Sequence, residues 1–91
     1  MNRALKAVLT TMLSRRCIGN KHTPEDKLLK SKLKWLTKEE LKSFKEEYKQ
    51  VINNQLVLRA KKMTRKGSDW HINLNPKKLK EIYEALGEKN E

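Results

Sequence analysis

The sequence predicts a small all-α protein: an amphipathic N-terminal presequence, then a short helix, a long helix, an extended loop and a short C-terminal helix, arranged as a helical hairpin. Three observations lead there. Apolar residues recur at spacings of three and four over most of the chain. Three helix starts are written out in capping residues. Hydrophobic and charged residues each make up 36% of 91 residues, which allows one thin core and no more.

The first element reads as an address. From Met1 to Lys21 the chain carries Arg3, Lys6, Arg15, Arg16 and Lys21, and its first acid is Glu25. Met1, Leu5, Val8, Leu9, Met12 and Leu13 share one side of a helical projection, with Arg3, Lys6, Thr10 and Ser14 mostly opposite. An acid-free, hydroxyl-rich, Arg-bearing amphipathic start is the signature of a mitochondrial transit peptide, assigned to residues 1–17. Arg15-Arg16-Cys17-Ile18 supplies the processing point. The plain alternative is a helix that stays attached. Removing 1–17 lowers the cations from 22 to 18 against 11 acids, so residues 18–91 form a single small domain of net charge +7.

Thr23-Pro24-Glu25-Asp26 reads as N-cap, Pro at the first helical position and acids in the first turn, which starts a helix running to about Trp35. Leu28, Leu29, Leu33 and Leu36 lie on its common side. Thr37-Lys38-Glu39-Glu40 is a capping box, with Leu36 and Leu41 placed for a hydrophobic staple. The next helix is predicted to run without interruption from Lys38 to Lys66, with Phe44, Tyr48, Val51, Ile52, Leu56 and Leu58 on its apolar side and Gly67 just past its end. Those 29 residues span roughly 43 Å, so the basic end projects. Trp70, Ile72 and Leu74 alternate with His71 and Asn73, an extended piece that forms at most one edge strand. Asn75-Pro76 starts the last helix, whose stripe is Leu79, Ile82, Tyr83 and Leu86, ending at Gly87. Phe44 and at least one Trp are expected in the core.

The chemical inventory excludes most enzyme classes. One cysteine, Cys17, permits no internal disulfide framework. His22 and His71 are far apart in sequence and have no Cys neighbour, which argues against structural zinc. His71 beside Asp69 has no placed nucleophile to serve, and the adjacent pairs Glu39-Glu40 and Glu46-Glu47 fit capping and solubility better than acid–base work. There is no phosphate-cradling Gly-rich loop. No cofactor, metal or small-molecule substrate is expected, and no stretch is long and apolar enough to span a membrane.

What remains is charge. Arg59, Lys61, Lys62, Arg65 and Lys66 crowd the end of the predicted long helix, and Trp70 follows four residues later. Such a cluster meets phosphates through a sequence-independent, salt-sensitive attraction, with the indole as a stacking surface for an unpaired base. The Lys30, Lys34, Lys38, Lys42 series, interspersed with acids, reads instead as solvated surface.

Trp35-Leu36-Thr37-Lys38-Glu39-Glu40-Leu41 followed by Phe44 resembles the start of the last helix of an HMG box. The resemblance covers that stretch alone. The basic, aromatic N-terminal strand and first helix of such a box have no counterpart before Trp35, so no intercalating role is carried over.

The expected function is a non-enzymatic component of the mitochondrial ribosome, or a factor associated with it, touching rRNA phosphates and neighbouring ribosomal proteins in the matrix. The alternative is an accessory or assembly subunit of a respiratory-chain complex, docked on protein at the matrix face of the inner membrane. Sequence-independent binding of mitochondrial DNA is a third reading.

Overall fold

The computed structural model describes residues 1–65 and 67–87. In chain order it contains α1 (Arg3–Ser14), β1 (Thr23–Pro24), α2 (Glu25–Leu33), α3 (Lys38–Asn53), β2 (Val57–Thr64), β3 (Gly67–Leu74), a 3₁₀ turn (Pro76–Lys78) and α4 (Leu79–Ala85). The strands form one antiparallel sheet in the order β1-β3-β2. The chain is therefore a mixed α and β protein, which overturns the all-α expectation.

The error lies in the long helix. It stops at Asn53, and Gln55 takes a left-handed backbone with φ 61°. That single residue ends the helical path and turns the chain into β2. Val57-Leu58-Arg59-Ala60-Lys61-Lys62-Met63 contains good helix formers, and the helical spacing carries on through it. It is extended because it pairs residue for residue with β3, from Val57 opposite Leu74 to Thr64 opposite Gly67. Gly67, expected just past a helix end, sits at the hairpin turn with φ 118°.

The second extended segment is also more than an edge. β3 is the central strand, flanked by β2 and by β1, where Thr23 pairs with Ile72 and Pro24 with His71. The chain before β1 also meets β3, through an isolated parallel bridge of Ile18 with Leu74. Leu74 donates its amide to the Cys17 carbonyl at 2.8 Å, and Gly19 donates to the Leu74 carbonyl at 3.1 Å. Thr23 belongs to β1 and does not cap α2, whose N-cap is Pro24 without a side-chain bond.

Other local readings hold. Thr37 caps α3 through a complete capping box, its hydroxyl accepting from the Glu40 amide at 3.2 Å. Asn75 caps the 3₁₀ turn, accepting from the Lys77 amide at 3.0 Å, with Pro76 in the first position. Ile82 and Leu86 of the C-terminal stripe are buried.

The core gathers all layers. Ala4, Leu5, Val8, Leu9 and Met12 of α1 meet Leu28 of α2, Phe44 and Val51 of α3, Val57 of β2, and Ile72 and Leu74 of β3. Residues 1–17, assigned above as an address, thus supply five core residues through α1 and a sixth through Cys17. Asn2 fixes the entry to α1: its side chain accepts from the Ala4 and Leu5 amides, while its own amide donates to the Glu47 carboxylate at 2.9 Å. Phe44 is buried as expected, but neither Trp is. Trp35 lies in the α2–α3 turn and is 83% exposed, and Trp70 on the hairpin is 40% exposed.

Candidate nucleic-acid interface

The basic cluster lies on a β-hairpin, not on a helix end. Described side chains from Arg59 to Trp70 are exposed on both of its faces, so the outer half of the hairpin stands clear of the helices. Strand alternation sorts the cluster. Arg59, Lys61 and Met63 share the face that Trp70 occupies, with Lys61 opposite Trp70. Lys62 points to the other face, opposite Asp69.

Arg59 is committed inside the molecule. Its Nε donates to Glu25 Oε2 at 2.7 Å and its Nη2 to Oε1 at 2.9 Å, a bidentate pair. Tyr48 Oη donates to the same Oε2 at 2.6 Å. Glu25 is buried, so this one carboxylate ties α2 to α3 and β2. Burial pushes the Glu25 carboxyl up, but the bonds from Arg59 and Tyr48 and the Arg59 charge outweigh it and hold it below the ordinary glutamate value. Burial, reinforced by the bond to Glu25, raises the Tyr48 phenol, and the Glu25 bond raises Arg59. The Arg59 guanidinium also lies over the Trp70 ring at 3.9 Å from its centroid, so it anchors the indole as well.

Lys61, Lys62 and Arg65 make no ion pair among the described residues. Lys66 lies outside the described residues. Lys61 Nζ stands 5.9 Å from the Trp70 centroid. Trp70 therefore combines a partly exposed indole with two neighbouring cations.

The helices add cations that the sequence reading left as solvated surface. α2 and α3 are consecutive helices joined by the short turn Lys34–Thr37, and the hairpin follows α3. Lys27, Lys30 and Lys34 recur along α2 at spacings of three and four, and Lys38, Lys42, Lys45 and Lys49 do the same along α3. All seven are exposed. Shared linings connect them. A cleft of about 510 Å³ joins Lys27 of α2 to Arg65, Asp69 and Trp70 of the hairpin. Lys27, Lys30 and Lys34 line the next notch along α2, and a groove of about 480 Å³ then joins Lys30 and Lys34 to Lys45 of α3. The cationic surface thus runs from the hairpin tip along α2 to α3. The available signal was the regular spacing of those lysines, which the alternating acids disguised.

The surface suits ionic attachment and stacking. Among the described residues no cluster of three or more His, Cys, Asp or Glu is placed to hold a metal, and no helix is long and apolar enough to cross a membrane. Compared with known proteins, the chain matches no protein-family model, no curated protein and no solved structure.

Proposed function

We propose that this chain is a non-enzymatic nucleic-acid-binding protein that grips the phosphate backbone of a double-stranded target with the lysine-bearing surfaces of α2 and α3 and its basic hairpin. The observation that carries the proposal is the run of cations from Arg65 through Lys27, Lys30 and Lys34 to Lys45, which outnumber the Asp26 and Asp69 carboxylates in the same clefts and form no ion pair among the described residues. Such cations displace condensed counterions from a phosphate backbone, which gives affinity without sequence information. Trp70, steadied by Arg59, adds a face for a nucleobase at the end of the run. Arg59 itself contributes through the indole and not through phosphate, because Glu25 already holds its guanidinium.

Duplex DNA and structured RNA offer the same phosphates but different grooves. The B-form major groove admits an α-helix, whereas the A-form major groove is too narrow. The free lysine stripe of α3 supports the DNA arm. The mitochondrial ribosome and its rRNA remain the other arm, supported by the net charge and the amphipathic α1 sequence. In that setting α1 acts as an address before folding and stays in the core afterwards.

Fluorescence anisotropy on a DNA duplex and an RNA duplex of one sequence, across a potassium chloride series, tests both arms. The expected result is binding whose logarithm falls linearly with log salt, weakened by Lys27→Glu or Arg65→Glu. Absence of binding to both duplexes at low salt rejects the proposal. The groove floor of Leu29, Leu33 and Leu41 favours one second reading, a docking face for an acidic protein such as a respiratory-complex subunit. Capture that survives nuclease treatment supports it.

A further inference from the structure

The two histidines, 49 positions apart in sequence, meet at the root of the sheet. His22 Nδ1 and His71 Nδ1 are 2.7 Å apart, with ring centroids at 4.6 Å and planes at 75°. The pairing register explains the meeting. Pro24 lies opposite His71, which places His22 diagonally across from it on the same face of the sheet. That face is the one turned away from Trp70.

An Nδ1-to-Nδ1 hydrogen bond requires one ring to carry its proton on Nδ1 and the other to present a bare Nδ1 lone pair. Both rings therefore already present the same edge to each other. Two nitrogens bound cis to one metal, each about 2.0 Å away and at a right angle, are themselves about 2.8 Å apart. The observed separation is already the bite of a chelate, and turning the exposed His22 ring and the half-buried His71 ring, each by about 45°, converges their lone pairs on one point.

The surroundings fit an open site. The two imidazoles line a polar pocket of about 190 Å³ with Asn20, Asn73 and Lys62. Asn73 Nδ2 donates to the Gly19 carbonyl at 2.7 Å, which holds the Gly19–Lys21 loop against the sheet beside them. No third His, Cys, Asp or Glu joins the pair among the described residues, so water completes the coordination sphere. Two neutral imidazoles with water suit late first-row divalent ions, and copper(II) leads the affinity order. Lys62 is the nearby cation that such an ion displaces toward solvent.

We propose that His22 and His71 form a two-imidazole chelate for a divalent late transition metal, copper(II) most strongly, which staples the segment before α2 to the central strand. The metal takes the place of the proton between the two Nδ1 atoms: the ring that carried it gives it to solvent and takes one up at Nε2, so both ligands are neutral imidazoles and no net proton is released. No oxidation step is involved. The second imidazole acts at high effective concentration, so losing either ring weakens binding by about a hundredfold.

The test is a titration of copper(II) alone into the full chain, followed by calorimetry and electron paramagnetic resonance. One equivalent saturates the wild type, the spectrum carries hyperfine structure from two imidazole nitrogens, and the thermal midpoint rises. His22→Ala loses about a hundredfold in affinity and the rise in midpoint. His22 is exposed and outside the strands, so this variant keeps the fold. His71→Ala repeats the loss from the other side. No saturable uptake by wild type, or unchanged affinity in His22→Ala, overturns the proposal.

Discussion

Replacing Glu25 tests whether one buried carboxylate holds the helices to the hairpin. In Glu25→Ala the Arg59 guanidinium loses both of its bonds and the Tyr48 hydroxyl loses its acceptor. Breaking a buried ion pair from one side costs about 3–5 kcal/mol. The Arg59 side chain remains 33% exposed, so water recovers part of that loss and the lower figure applies. We expect a loss of about 3 kcal/mol, including the stranded hydroxyl. For a domain of this size that lowers the thermal midpoint by about 12–24 °C. Urea denaturation followed by circular dichroism at neutral pH measures it. A Glu25→Ala midpoint within error of wild type refutes the reasoning.

The same carboxylate sets an acid dependence. Its folded pKa lies below the ordinary value of 4.5, so its contribution is complete above that value and is lost as pH falls through the folded one. Acidification therefore narrows the gap in stability between wild type and Glu25→Gln. Glu40 is also lowered, chiefly by the Thr37 backbone and hydroxyl, but it titrates alike in both proteins and cancels.

Three further outcomes are expected. Thr37→Ala removes half of the capping box and costs about 1 kcal/mol in a urea melt, while Thr23→Ala, which caps no helix, costs less. A chain starting at Ile18 loses Ala4, Leu5, Val8, Leu9 and Met12 from the core, so it shows no cooperative unfolding transition; a sharp transition counts against α1 as a core helix. Lys27→Glu combined with Lys45→Glu flattens the salt dependence of duplex binding by roughly two units of slope, about 0.9 for each lost phosphate contact.

Much of the local structure was legible because its causes are local. The capping box at Thr37–Glu40 and the Asn75–Pro76 start each close a hydrogen bond within three residues, so the residues that form the feature also announce it. The alternation from Trp70 to Leu74 likewise marks an extended segment from its own sequence. β2 was not legible for the opposite reason. Leu58, Arg59, Ala60, Lys61 and Lys62 favour a helix on their own. Pairing with β3 supplies what holds them extended, and Gln55 in its left-handed conformation turns the chain toward that partner.

The candidate surface divides in the same way. That Lys61, Lys62 and Arg65 are exposed cations follows from composition and hydropathy. That Arg59 is withdrawn from solvent anions depends on Glu25, 34 positions earlier, and no local spacing encodes the meeting. The lysines of α2 join the hairpin cluster through clefts that exist only once both elements pack. The two histidines come within hydrogen-bond reach solely through the β1–β3 register.

By itself the sequence determined the net positive charge, the capped helix starts and the extended strand from Trp70. Each of these depends on residue type or on bonds closed within one turn. The tertiary structure alone decided that the N-terminal helix is core, that the basic segment is a hairpin, and which cations keep their charge for a partner. Those outcomes rest on contacts between distant residues, whose energies overrule the weaker preferences of the chain nearby.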